Sequence, residues 1–202
     1  MNKESRFATI FYTSLITFGF VLVLSLINFA TLGKVKQNEE IFAVRALLNA
    51  FGIGYKNDAE ALKIYEERVS QFAIDDFTVY TTTVDGEERV ASIFTGDALW
   101  GSIRFAMAFD KEVERIIGVD FIDQNETPGL GGRITEKWFR DQFVNKRIPE
   151  GGLTLRVGGT GDYDPESGRF DAITGATSTS KSVERIFNRA IEEMKRKLGG
   201  GQ

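Results

Sequence analysis

The first forty residues and the rest of the chain carry different hydrophobic patterns. From Phe7 to Leu32 the run FATIFYTSLITFGFVLVLSLINFATL is uncharged over 26 residues and is flanked by Arg6 and Lys34. At about 1.5 Å per residue, such a run crosses a hydrocarbon core of about 30 Å with some tilt, so it predicts a single transmembrane helix. A cleaved signal peptide would need a shorter apolar region, about 7–15 residues, ending in a small-residue site. A lipoprotein anchor is excluded because there is no cysteine to acylate. Lys3 and Arg6 on one side balance Lys34, Lys36 and Arg45 on the other, so positive charge does not choose an orientation. Ser14, Thr17, Ser25 and Asn28 within the run can hydrogen-bond either to neighbouring helices or to their own backbone.

Beyond the apolar run the spacing stays helical. Residues 34–51 continue as a helix ending near Gly52 and Gly54, and Asn57-Asp58 is an N-cap signal for a second helix over 58–73, with Leu62, Tyr65, Val69 and Phe72 on one face. From Phe77 the period drops to two. FTVYTTTV and ERVASIF are joined through Asp85-Gly86, a strong hairpin signal, and two further strands are expected near 101–109 and 113–122 across the turn Asp110-Lys111-Glu112. Ile134, Trp138, Phe139 and Phe143 form two i, i+4 pairs that predict a helix over 135–144. A short strand is expected at 153–157, then a Gly- and Asp-rich loop over 158–168, then a helix from about 179 to 198 with Val183, Ile186, Phe187, Ala190, Ile191 and Met194 on one face. Helices before and after a run of strands indicate an α+β fold, a largely antiparallel sheet flanked by helices. The expected division is an anchor over 1–33, a helical linker and domain start over 34–75, the main domain over 76–198 and a flexible tail over 199–202.

Composition narrows the chemistry. The chain has 202 residues, a net charge of −4, no cysteine and no histidine. Disulfides, thiolate metal sites, iron–sulfur clusters held by this chain and every dyad or triad needing imidazole are therefore excluded. With charges interspersed and no basic stripe, nucleic acid is not an expected partner. If the chain moves electrons, they reside on an organic cofactor or on a metal held by oxygen ligands.

Three segments are candidates for chemistry. In F170-D-A-I-T-G-A-T-S-T-S180 a glycine-rich loop becomes the start of the last helix. Free backbone N–H groups and the positive dipole end suit a phosphate there, but the residue types alone favour ordinary capping by one of Thr177, Ser178, Thr179 and Ser180. Gly96-Asp-Ala-Leu-Trp-Gly-Ser-Ile103 enters a strand with an aromatic between small residues, and Glu126-Thr-Pro-Gly-Leu-Gly-Gly132 joins a rigid turn to a flexible one. Taken singly, the last two read as core or rim and as turn chemistry.

In this order the three segments resemble the FMN-binding domain family, found in the G subunit of the Rnf ferredoxin:NAD oxidoreductase and the C subunit of the sodium-translocating NADH:quinone reductase. The resemblance runs from the anchor helix to the last helix. The family motif D-x-x-[S/T]-G-A-T falls on Asp171, Thr174, Gly175, Ala176 and Thr177. It implies one FMN joined through its phosphate to Thr177 by a separate flavin transferase that uses FAD. Backbone N–H groups and the hydroxyls of Thr174, Ser178 and Thr179 are then expected to hold the phosphate, with Leu99, Trp100 and Leu130 packing the isoalloxazine. The resemblance also implies a flavin pocket from Leu99, Trp100, Glu126, Thr127, Pro128, Gly129, Leu130 and Gly131. Family members often carry a histidine just before ETPGLG, where this chain has Asp123-Gln124-Asn125. The shorter length favours the Rnf type. The resemblance therefore implies an electron-carrying, single-pass subunit of the cell inner membrane, with its domain on the outer (periplasmic or extracellular) face and membrane and iron–sulfur subunits as partners. The competing expectations are a membrane-tethered ligand-binding or sensing domain without a redox role, and a flavin-dependent reductase of a small substrate.

Overall fold

The structure, a computed structural model, describes residues 3–199; the side chains of residues 3–5, 36 and 37 lie outside the description. The expected tail from residue 200 onward is therefore not described, nor are the Lys3 and Lys36 side chains that enter the charge balance around the apolar run. Helix α1 spans Lys3–Phe51. By internal contacts the chain divides into two units, Met1–Glu40 and Ile41–Gln202. In the first unit, α1 is long and apolar enough by length and composition to cross a membrane. Its large apolar side chains from Phe7 to Leu32 are exposed. Thr17 Oγ1 donates to Thr13 O at 2.8 Å, bonding to its own helix.

In the second unit, the end of α1 is followed by α2 (Asp58–Arg68), whose first turn is capped by Asn57 Oδ1 accepting from Glu60 N at 2.9 Å. The expected helix over 58–73 stops at Arg68. Val69 is extended, and Ser70–Ile74 forms strand β1 instead. The sequence SQFAI-DD-FTVY makes a hairpin across Asp75-Asp76, with Ile74 opposite Phe77, and Thr82 Oγ1 donates to the Arg68 carbonyl at 2.9 Å. Strands β2 (Phe77–Val84), β3 (Glu87–Asp97), β4 (Ser102–Asp110) and β5 (Arg115–Asp123) follow as a meander, and β6 (Lys146–Arg147) closes an antiparallel six-stranded sheet in sequence order. Asp85 and Gly86 both have positive φ, 55° and 84°, as a two-residue primed turn requires.

The helix expected over 135–144 is broken into a 3-10 turn (Gly131–Thr135), one α-turn (α3, Lys137–Arg140) and a second 3-10 turn (Asp141–Phe143). The break is at Glu136, which is extended; its carboxylate accepts from Arg133 Nε at 3.1 Å and from Trp138 Nε1 at 2.5 Å. The apolar pattern still serves the core, since Ile134, Phe139 and Phe143 are fully buried. Strands β7 (Thr154–Arg156) and β8 (Arg169–Asp171) pair in parallel, and α4 covers Thr177–Gly199.

Two cores lie on opposite faces of the sheet. One contains Val79, Val90, Phe94, Phe105, Met107, Phe109 and the apolar face of α4. The other contains Leu47, Leu48, Phe51, Ile53 and Ala61 against Ala91, Ala106 and Ala108. Glycines admit both helices: a Cβ on Gly96 would lie 2.7 Å from Ile186, and one on Gly118 would lie 2.8 Å from Ala50 O. The fold is α+β, an antiparallel sheet flanked by helices.

Residues 44–51 belong to the core of the second unit. A fragment beginning at Lys34 is thus expected to fold, whereas one beginning at Gly54 is expected to aggregate. Leu48→Ala, at a fully buried position, should lower stability in the Lys34 fragment by about 2–5 kcal/mol, measurable by denaturant unfolding.

Candidate functional site

The three candidate segments converge at one end of the sheet. Ala98–Gly101 is the tip of the β3–β4 hairpin, closed by Ala98 N donating to Gly101 O at 2.8 Å. The loop after β5 turns through Pro128-Gly129, with Leu130 N and Gly132 N both donating to Thr127 O at 3.1 and 3.0 Å and Gly129 at φ 74°. Proline then glycine at the turn centre is the chemistry of a type II turn. The third segment leads into α4, whose Arg185, two turns further on, donates through Nη2 to Asp97 O at 3.0 Å.

Glu126 joins all three. Its side chain is 4% exposed. Oε1 accepts from Leu99 N at 3.0 Å and Trp100 N at 2.9 Å, while Oε2 accepts from Thr179 Oγ1 at 2.5 Å. Gln124 Oε1 accepts from Glu126 N at 2.7 Å, and a Cβ on Gly101 would touch Asn125 at 3.0 Å. The residues standing where the family often has histidine thus brace the hairpin tip. Gly131 is bare for a steric reason: its Cβ would lie 2.5 Å from Thr179 Oγ1 and 2.8 Å from Glu126 Oε2.

At the helix start, Gly175 has φ 79° and Ala176 N donates to Ile173 O at 2.9 Å. The first helical bond runs from Ser180 N to Ala176 O, which leaves the N–H groups of Thr177, Ser178 and Thr179 ahead of the helical ladder. Capping by side chain would need one of the local hydroxyls to accept from these groups. None does among the described residues: Thr179 donates to Glu126, and Ser180 Oγ accepts from Ile173 N at 3.0 Å and donates to Ala176 O at 3.0 Å. Thr174 and Ser178 are exposed and Thr177 is half-buried. An anion fits here without displacing a resident cap.

Asp171 is buried and engaged. Arg156 Nε and Nη2 donate to its two carboxylate oxygens at 2.6 and 2.9 Å, and Gly161 N donates at 2.8 Å. These bonds, the Arg156 pair above all, hold its carboxyl below the usual carboxylate range against the opposing effect of burial. Gln142 Oε1 accepts from both Asp171 N and Asp162 N. The buried Lys146 ammonium donates to Asp162 O, Asp164 O and Ser167 Oγ at 2.9, 2.7 and 3.2 Å. The loop read only as Gly- and Asp-rich is thus tied down from within.

The side chains of Leu99, Trp100 and Leu130 are exposed, Trp100 at 69%, an apolar rim beside the helix start. A cavity of about 320 Å³, lined by Arg133, Trp138, Gly159, Thr160, Ala172 and Thr174, borders the motif. Apart from Thr174, sequence reasoning does not single these residues out as a site. The Gly158-Gly159-Thr160-Gly161 cluster is their one signal, because small residues leave room. Among the described residues no group of Asp and Glu could hold a metal ion.

Residues 99–192 match the model of the FMN-binding domain family. Every candidate residue, from Leu99 to Thr179, lies inside the matched span. The chain is 31% identical over 169 residues to the C subunit of the Na(+)-translocating NADH-quinone reductase of Neisseria meningitidis, covering 80% of this chain and 62% of that protein. The same subunit of Vibrio vulnificus is 25% identical over 176 residues, covering 84% and 66%. The chain thus spans less than two thirds of these relatives. In structure it is similar to the C subunit of the Na(+)-translocating NADH-quinone reductase of Parabacteroides distasonis, with TM-score 0.67, 25% identity and coverage of 81% of this chain and 94% of that one. NqrC of Shewanella oneidensis shares the fold at TM-score 0.68 and 19% identity, covering 83% of this chain and all of that one.

Two outcomes are expected from the geometry. Gly131→Ala should part Glu126 from Thr179 and expose the hairpin tip, read as faster amide exchange at Leu99 and Trp100. Asp171→Asn should lower Tm by several degrees at neutral pH. The folded pKa of Asp171 is depressed, so its stabilisation is present above the unfolded value near 4 and is lost as pH falls through the folded one. The Tm gap to wild type should therefore shrink in acid.

Proposed function

We propose that the chain is a membrane-anchored electron-transfer subunit of an ion-translocating oxidoreductase complex, carrying one FMN as a phosphoester on Thr177. The observation that carries this reading is the uncapped first turn of α4, with the Thr177 hydroxyl at its head and without a hydrogen bond among the described residues, set within D-x-x-T-G-A-T. In the loading step, Thr177 Oγ forms a bond to the flavin-side phosphorus of FAD held by the transferase. The pyrophosphate bond breaks, AMP leaves, and the hydroxyl proton passes to a base of the transferase.

The residues present suit the group. The backbone N–H groups of Thr177, Ser178 and Thr179, with the hydroxyls of Thr174 and Ser178, have no partner among the described residues and can donate to a phosphodiester. The Thr179 hydroxyl, expected from the sequence to join them, donates instead to Glu126. Leu99, Trp100 and Leu130 offer apolar cover for a ring. FMN would supply the electron-carrying chemistry, and this chain would supply attachment, shielding and a fixed dipole environment. Without histidine or cysteine, no side chain here competes for that role.

The wider setting rests on the likeness to relatives named as subunits of sodium-translocating reductases and on the apolar first unit. It comprises a single-pass position in the inner membrane, the domain on the outer face, and membrane and iron–sulfur subunits as neighbours. The Rnf type is the finer part of the proposal. Purifying the complex tests it: ferredoxin:NAD activity supports Rnf, and NADH:quinone activity refutes it.

Attachment is tested by co-expression with the transferase, then denaturing gels read for flavin fluorescence and mass spectrometry of the peptide holding Thr177. Wild type should fluoresce and Thr177→Ala should not. Fluorescence retained by Thr177→Ala would remove the assignment, and a colourless wild type would favour the ligand-binding alternative.

A further inference from the structure

Glu126 is a buried carboxylate whose three side-chain partners are all neutral: the N–H groups of Leu99 and Trp100 and the hydroxyl of Thr179. It forms no ion pair among the described residues. Glu126 Oε2 lies 2.5 Å from a hydroxyl in the first turn of α4, so a negative charge already sits beside the dipole end that an anion would use.

We propose that Glu126 is a specificity-determining residue that makes this site selective for esterified over free FMN. The inference rests on reading the first turn of α4 as the phosphate site. A free phosphomonoester carries about −1.5 to −2 at pH 7, whereas the diester formed on Thr177 carries a single negative charge. The Glu126 carboxylate repels the former more than the latter, and with no cation partner it has nothing to offset that repulsion. The consequence is a chain that does not fill itself from the cellular FMN pool and so stays open for the transferase.

The test uses full-length protein in detergent, expressed without the transferase and titrated with FMN and with riboflavin by flavin fluorescence. Glu126→Gln keeps an amide oxygen to accept from Leu99 N and Trp100 N, and an amide N–H₂ to donate to Thr179. It should strengthen FMN binding about tenfold, equivalent to about 1.4 kcal/mol, while changing riboflavin binding less than twofold. Equal changes for both flavins, or no change for FMN, would overturn the proposal. A second measurement needs no variant: wild type should bind riboflavin 4′,5′-cyclic phosphate, a monoanionic diester, more tightly than FMN, and the reverse order refutes the idea. Failure of loading in wild type would count against Thr177 attachment instead, so the two failures are distinguishable.

Discussion

Strand β4 is buried on both faces, and the size alternation along it governs where everything else can sit. Ile103, Phe105, Met107 and Phe109 point into one core, Ala106 and Ala108 into the other. Large side chains hold α4 off the sheet at ordinary packing distance. The alanines, with Ala91 and the bare Gly118, let the end of α1 come close enough for Ala50 O to lie 2.8 Å from where a Cβ on residue 118 would sit. A strand buried on both sides is expected to read as a near-continuous apolar run, and IRFAMAF does. The helix over the large face crosses β3 at Gly96, and the crossing brings its first turns to the end of β3, where the β3–β4 tip and the loop after β5 also lie. The site is therefore a consequence of how β3 and β4 are packed.

Much of this was legible in the sequence. The apolar run, the meander with its Asp85-Gly86 turn, and the last helix carry strong periodicity, and local propensity agreed with tertiary packing there. Two helices were read too long for different reasons. Phe72 continued the helical spacing of Leu62, Tyr65 and Val69, but the Asp75-Asp76 turn and the partner strand FTVYTTTV pulled Ser70–Ile74 into the sheet, a long-range pairing that spacing cannot register. Ile134, Trp138, Phe139 and Phe143 do line one core, yet the Glu136 carboxylate bonds to residues on either side of it and splits the helix. The short strands Lys146–Arg147 and Arg169–Asp171 are too brief for any pattern.

At the site, residue types were readable and their division of labour was not. Asp171 and Glu126 are both carboxylates of the motifs and both buried, but one is neutralised by Arg156 and the other is held by neutral donors alone. Only the fold distinguishes them. The same is true of the hydroxyls. Thr179 and Ser180 are spent on architecture, one clasping Glu126 and the other bonding the Ile173 N–H and the Ala176 carbonyl, while Thr174, Thr177 and Ser178 keep theirs.

That division explains why a run of four hydroxyl residues can begin a helix without capping it. A cap draws a side chain back over the first turn to meet N2 or N3. Here the residue in the N3 position, Thr179, is held toward Glu126, and the N-cap position is alanine, which has nothing to offer. The first turn is kept open by bonds that lead away from it. Thr177 heads the row of N–H groups left ahead of the helical ladder, and the ordering of the helix start does not have to be undone for an oxyanion to be held there.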